Sequence, residues 1–338
     1  ISTYAQDNPL WMRYCAISPD GTTIAFTYKG DIYTVPSTGG RASQITTNPA
    51  HDTKPIWSPD GKKIAFASDR MGSMDIFEVN KEGGIPKRLT THSGNETPVA
   101  YKDAGHILFL ANIMPTVEDA QFPSGQFQQV YEVNTEGGRP ALFSSMPMED
   151  ISINHTGNTL LYHDKKGYED PWRKHHTSSI TRDIWLCSLN GNRTFRKQTT
   201  FNGEDRTPVW ASDDKSFYYL SEEKGSFNIF KRDIDGNTSK QITNHTKHPV
   251  RFLSAASNGT LCYGYDGEIY TVKEGAIPQK VQISIVTDKN DKDLIRQIKR
   301  SGATEISLSP DAKEIAFVLR GDVYVTSTEY STTKQITN

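Results

Sequence analysis

A turn, an apolar strand, a segment of the type Gly-Asp-Ile-Tyr-Thr-Val and a strand closing in Gln-Ile-Thr or a relative recur seven times along this chain. The turns fall at Gly21, Gly61, Gly105, Gly157, Asp214, Gly259 and Ala312, a period of roughly 40 to 57 residues, which suits propeller blades better than helical repeats. One such unit cannot bury its own two faces and must stack on neighbours.

The second copy shows why the unit has four strands. Pro55-Ile56-Trp57 makes a first short strand, and Ser58-Pro59-Asp60-Gly61 supplies a turn, with proline preset for its first corner and glycine free to take positive φ. Ile64 to Ser68 reads as a strand buried on both faces, and Asp75 to Val79 as a third strand with alternating sides. Lys87-Arg88-Leu89-Thr90 is the outer strand, where two cations protect an exposed edge from pairing with other chains. β-branched and aromatic residues dominate these runs and Gly or Asp-Gly interrupts them about every ten residues, which argues against helices. The expected fold is therefore all-β, a β-propeller of four-stranded antiparallel blades spanning 11–46, 51–90, 96–144, 148–199, 205–243, 248–283 and 303–337, with a charged linker at 284–302. Seven blades are expected to close one ring, because a lone seventh blade would expose apolar faces; the alternative is six blades plus the first blade of a second propeller.

Composition narrows the partners. A formal net charge of -2 over 338 residues leaves no basic footprint for nucleic acid, and no apolar run is long enough for membrane insertion. Ser2-Thr3-Tyr4-Ala5-Gln6 is a small and polar lead-in of the kind found beside a signal-peptide cleavage site, so a periplasmic or secreted location is expected. Cys15, Cys187 and Cys262 lack CxxC or metal-ligand spacing and read as small buried hydrophobes.

Aligning the copies on their turns puts Arg13, Thr53, Thr97, Glu149, Arg206, Arg251 and Thr304 at matching positions near the start of each innermost strand. These should ring the central tunnel near one mouth. Arg13, Arg206 and Arg251 with Glu149 favour carboxylate-bearing guests such as peptide C-termini, through bidentate charge-assisted bonds. The competing reading pairs the arginines with neighbouring Asp52, Glu96 and Asp205 and makes them purely structural.

Two long insertions depart from the consensus, at Asn112 to Gln129 in the third copy and Lys165 to Arg182 in the fourth. Phe122, Phe127, Tyr168, Trp172 and Arg173 are candidate docking residues there, since loops of this length on a repeat scaffold tend to carry function. His175-His176 lacks the further ligands a metal needs, and Asp288 to Asp293 departs from a calcium loop, so no metal and no cofactor is expected. No GxSxG elbow, HExxH, phosphate loop or CxxC pair is present, so no catalytic residue is assigned.

Trp57-Ser-Pro-Asp-Gly-Lys-Lys-Ile-Ala-Phe-Ala-Ser-Asp-Arg70, Leu10-Trp11-Met12-Arg13-Tyr14 and Gly30-Asp31-Ile32-Tyr33-Thr34-Val35 together resemble the N-terminal propeller of the Tricorn-type serine peptidases, which is built from TolB-like blades. The resemblance covers essentially the whole chain. It implies a non-catalytic domain of an exported peptidase that guides or filters peptide substrates and docks to the remaining domains of its parent, with room for a homo-oligomer. It also implies six blades in that first propeller, one fewer than the copies visible here. The rival functional reading is a free-standing TolB-like periplasmic protein-binding propeller. A glycan hydrolase or lyase is weaker, because no paired carboxylates of the required separation emerge from the repeats.

Overall fold

In the computed structural model, residues 9–113, 127–167, 172, 178–286 and 299–337 are described, with the backbone of residues 5–6. The chain divides into two compact units, Ile1–Asp288 and Lys289–Asn338. Among the described residues every regular element is a β-strand, arranged in seven four-stranded antiparallel sheets and one three-stranded sheet.

In the first unit six four-stranded sheets follow one another in sequence order, with first strands Arg13–Ile17, Asp52–Trp57, Thr97–Asp103, Met148–Ile153, Asp205–Trp210 and Arg251–Ala255. The motif residues explain each sheet locally. In the turns, Ser18 and Ser58 donate to Asp20 and Asp60 at 2.6 Å and accept the backbone N–H groups of Thr23 and Lys63, which fixes the corner before the second strand. Gly21 takes φ 77 there, and Asp214 adopts φ 51 at the same position, so the turn keeps its shape where glycine is replaced; of the seven expected anchors Gly105 does not take a positive φ. The closing threonine of Gln-Ile-Thr has a defined partner: Thr46, Thr90, Thr199 and Thr243 each accept the N–H of an isoleucine at the first or second position of the third strand, at 2.9 to 3.0 Å. That bond ties the outermost strand to the blade where the ladder ends, leaving no orphaned donor.

Six apolar clusters among the described residues join the sheets face to face. Ile45 and Phe66 belong to the cluster between sheets one and two. Tyr101 and Ile76 join two to three, and Leu110 and Tyr162 join three to four. Ile184 and Phe217 join four to five, while Phe227 and Tyr263 join five to six. The sixth cluster holds Ile24 and Phe26 of sheet one with Cys262 and Ile269 of sheet six. Trp57 and Trp210 are both buried, as their shared position requires. Each indole N–H donates to a carbonyl on the preceding sheet, Trp57 to Ala16 at 2.9 Å and Trp210 to Ser152 at 3.0 Å.

The seam between sheets six and one corrects the seven-blade ring. Sheet six packs directly on sheet one, and the N–H of Ile17 bonds Ser254 Oγ at 3.0 Å, so no further sheet fits between them. The repeat count overstated the ring because a copy is legible locally, whereas ring closure depends on which faces meet. The expected linker at 284–302 also begins with structure: Ile283–Val286 pairs antiparallel with Ala5–Gln6 and parallel with Gly40–Arg41. This small sheet crosses the seam, with Ile283 and Ile285 buried. It needs Gly39, where a Cβ would lie 2.6 Å from the carbonyl oxygen of Gln282.

The second unit is a single sheet of four antiparallel strands, Ala303–Leu308, Glu314–Leu319, Asp322–Ser327 and Thr333–Gln335. It repeats the Ser309–Asp311 turn and the Thr337 bond to the Val323 N–H, and none of its described residues is buried.

Candidate functional site

The strand registers confirm the position-by-position alignment of the copies. Arg13, Thr53, Thr97, Glu149, Arg206, Arg251 and Thr304 each pair with the next-to-last residue of the second strand, namely Thr27, Ala67, Leu110, His163, Leu220, Gly264 and Val318. The next residue breaks the ladder. Tyr14, Lys54, Asp150, Thr207, Phe252 and Glu305 all have φ between 49 and 59 at a β-bulge. None is glycine, and each such residue stores about 1–3 kcal/mol of backbone strain. The third copy has Pro98 here, whose ring forbids positive φ. A bulge re-aims side chains. Here it brings Tyr14, Lys54, Asp150, Thr207 and Phe252 to the wall of one cavity of about 670 Å³, to which all six first strands of the first unit contribute.

Three of the four expected channel residues, Glu149, Arg206 and Arg251, line that cavity. Arg13 is exposed beside it and stacks on an aromatic ring that does line it. Glu149 anchors a polar network on sheets four and five. Lys165 donates to one of its oxygens at 2.8 Å, and Arg182 approaches the other at 3.6 Å. Arg182 in turn bonds Glu204 at 2.9 Å, and Arg206 reaches the same Glu204 oxygen at 3.4 Å while lying 4.1 Å over the ring of Phe227. The arginines therefore do not pair as the structural reading expected: Asp52 is held by Arg70 through two 2.9 Å bonds, and Arg206 meets Glu204 rather than Asp205.

His163 is positioned in this network by its neighbours. The N–H of Thr207 donates to Nδ1 at 3.2 Å, which leaves the ring proton on Nε2, 3.3 Å from Glu149. Burial opposes ionisation of Glu149, but hydrogen bonds from His163 and Lys165 hold its carboxyl well below the usual range. Burial pulls the Lys54 ammonium below its ordinary value, with Asp150 and Glu149 working against that shift. Burial also pulls Arg206 down to about 10. Glu149 thus stays an anion and Arg206 a cation at neutral pH, and the wall formed by sheets five and six is a cationic side, carrying Arg206 and Arg251.

Trp172 joins the two sets of expected residues. Its ring centroid lies 4.9 Å from the guanidinium carbons of both Arg13 and Arg251, and its carbonyl oxygen accepts from Arg251 Nη2 at 2.9 Å. Phe252 packs against it edge-on at 6.1 Å. Trp172 nonetheless remains 42% exposed. The ends of the same insertion, Lys165 and Arg182, also line the cavity. Channel and insertion are therefore one site. Phe127 is half-buried next to Gln128, another lining residue. Phe122, Tyr168, Arg173 and the His175-His176 pair lie outside the described residues. Among the described residues no cluster of His, Cys, Asp and Glu is arranged to hold a metal. The bulge residues and the His163, Lys165 and Arg182 network were missed by sequence reasoning. Their one available signal was adjacency to the aligned ring positions and to the insertion ends.

Residues 9–276 match the profile of the family described as the Tricorn protease N-terminal beta propeller domain. The chain is similar to Tricorn protease homolog 1 of Streptomyces coelicolor, 26% identical over 281 residues, which make up 82% of this chain and 25% of that protein. It is similar to the Tricorn protease of Thermoplasma acidophilum, 25% identical over 334 residues, 94% of this chain and 29% of that protein. The crystal structure of the tricorn protease resembles it with a TM-score of 0.71 at 20% identity, covering 97% of this chain and 31% of that one, a likeness of fold. The chain spans about a quarter of the length of these curated relatives.

Proposed function

The chain belongs to the family of Tricorn protease N-terminal beta propeller domains, and from that premise we propose that it is a non-catalytic module of a serine peptidase that guides or filters peptides through its central cavity and docks to the other domains of its parent. The observation that carries this reading is the convergence of all six first strands on one cavity whose lip holds Arg13, Arg251 and Trp172. A cavity of about 670 Å³ suits an extended peptide segment rather than a folded partner. Its cationic side would take the terminal carboxylate by charge-assisted bonds. In this reading the Trp172 carbonyl on Arg251 holds the place of a peptide carboxylate and yields to it.

The unit Lys289–Asn338 is read here as the opening blade of a second propeller. Its turn repeats those of sheets one and two, its bulge that of five of the preceding sheets and its threonine bond that of four, yet its apolar strands lack burial, so it requires flanking blades.

Fluorescence anisotropy with labelled peptides tests the guiding role. Peptides with a free C-terminal carboxylate are expected to bind several-fold more tightly than their amidated forms, with the difference reduced in Arg206→Gln and Arg251→Gln. Equal binding of acid and amide, or no binding of either, would overturn it. The purified chain is also expected to hydrolyse no peptide or ester; turnover abolished by replacing one serine within it would end the non-catalytic reading.

A further inference from the structure

The seam between sheets six and one contains two cysteines, one from each side. Cys15 lies on the first strand of sheet one and Cys262 on the second strand of sheet six; both are buried, at 4% and 0% exposure, in the same apolar cluster. Their surroundings tie both to the same contact between the two sheets. Cys15 Sγ lies 3.5 Å from the carbonyl oxygen of Phe252 on sheet six. Two residues further on, Ser254 is the cross-strand partner of Cys262, and its hydroxyl accepts the N–H of Ile17 from sheet one. Both thiols are free, and Cys15 is close enough to Cys262 to add to the upward shift that burial imposes on the Cys262 thiol. Cys187 is buried elsewhere, between sheets three and four. The pairing is thus specific to the one interface that joins the start of the ring to its end, where a crosslink constrains the longest stretch of chain.

We propose that Cys15 and Cys262 form a disulfide that staples sheet six to sheet one when the chain folds in the presence of a disulfide donor. One protein thiolate attacks the donor disulfide, giving a mixed disulfide and releasing one donor thiolate. The second protein thiolate then attacks the protein sulfur of that mixed disulfide and releases the other. The protein loses two electrons and two protons, and the donor becomes two thiols. Exchange belongs to the stage before the seam closes, since the sulfurs are inaccessible in the folded ring and burial raises the Cys262 thiol well above its ordinary value. The bond would close a loop of about 250 residues, and crosslinks that close long loops restrict the unfolded chain most.

The test unfolds the full chain in denaturant with reductant, refolds it in a reduced and oxidised glutathione mixture, blocks free thiols and maps the digest by mass spectrometry. A linked peptide pair containing Cys15 and Cys262 is expected, with Cys187 alkylated. Reductant should lower the thermal midpoint by about 5–10 °C, a difference lost in Cys15→Ser and Cys262→Ser and retained in Cys187→Ser. Refolded native chain with all three cysteines alkylated, or with Cys187 in the bond, would overturn the proposal. Should either serine variant fail to fold, the peptide map of the unaltered chain decides alone.

Discussion

Ser254 on the sixth sheet accepts the backbone N–H of Ile17 on the first at 3.0 Å, and Ser152 on the fourth accepts that of Trp210 on the fifth at 3.3 Å. The serines occupy the same position, three residues beyond the aligned ring residue, and their donors lie four beyond it. The seam that closes the ring is therefore built as an ordinary sheet-to-sheet junction. Ser254→Ala leaves the Ile17 N–H without its partner and should cost about 1–3 kcal/mol, measured by urea unfolding beside Ser152→Ala. A variant as stable as the parent would show that this bond does not hold the seam.

Trp57 and Trp210 each fill an inter-sheet cluster and cap a carbonyl on the neighbouring sheet. Truncation to alanine should cost about 3–5 kcal/mol at either position. Replacement by phenylalanine should recover most of the apolar packing and still fall short, because the carbonyl of Ala16 or Ser152 loses its donor. Equilibrium denaturation of the four variants orders them.

Burial pushes the carboxyls of Glu96 and Asp205 up to about 7, outweighing the opposing influence of Thr90 on Glu96 and of Ser221 and Thr199 on Asp205. A carboxyl whose folded value lies above its unfolded one binds more protons in the native state, so stability falls as pH rises between the two values. From about pH 4.5 to about pH 7 the chain should lose stability relative to Glu96→Gln and Asp205→Asn, by up to about 3 kcal/mol per site. Unfolding free energies at several pH values check this, and parallel curves for parent and variants would contradict it.

Trp172 occupies Arg13 and Arg251 simultaneously. Trp172→Ala should leave the thermal midpoint of the isolated chain nearly unchanged, since the ring is partly exposed, while altering peptide affinity several-fold through the released arginines. Anisotropy titration and calorimetry on one preparation separate the two effects. A large stability loss with unchanged affinity would make Trp172 an internal cover.

The alignment of the copies from Arg13 to Thr304 was legible because each copy repeats its own turn and strands, and the observed registers reproduce it residue by residue. The bulge one residue later was hidden. Tyr14, Lys54, Asp150, Thr207 and Phe252 share no side-chain chemistry, and nothing in such residues announces a positive φ. The polar network was hidden for another reason: Glu149, Arg182 and Glu204 are far apart in sequence and meet only because sheets four and five pack together.

By itself the sequence determined the blade, since turn chemistry, strand alternation and the closing threonine are local and each copy satisfies its own backbone. Only the tertiary structure decided how many blades meet in one ring, which sheet faces sheet one, and that the fourth-copy insertion shares a site with the channel arginines. Those outcomes depend on the faces left over after each blade is formed, and burying a face is a property of two sheets together.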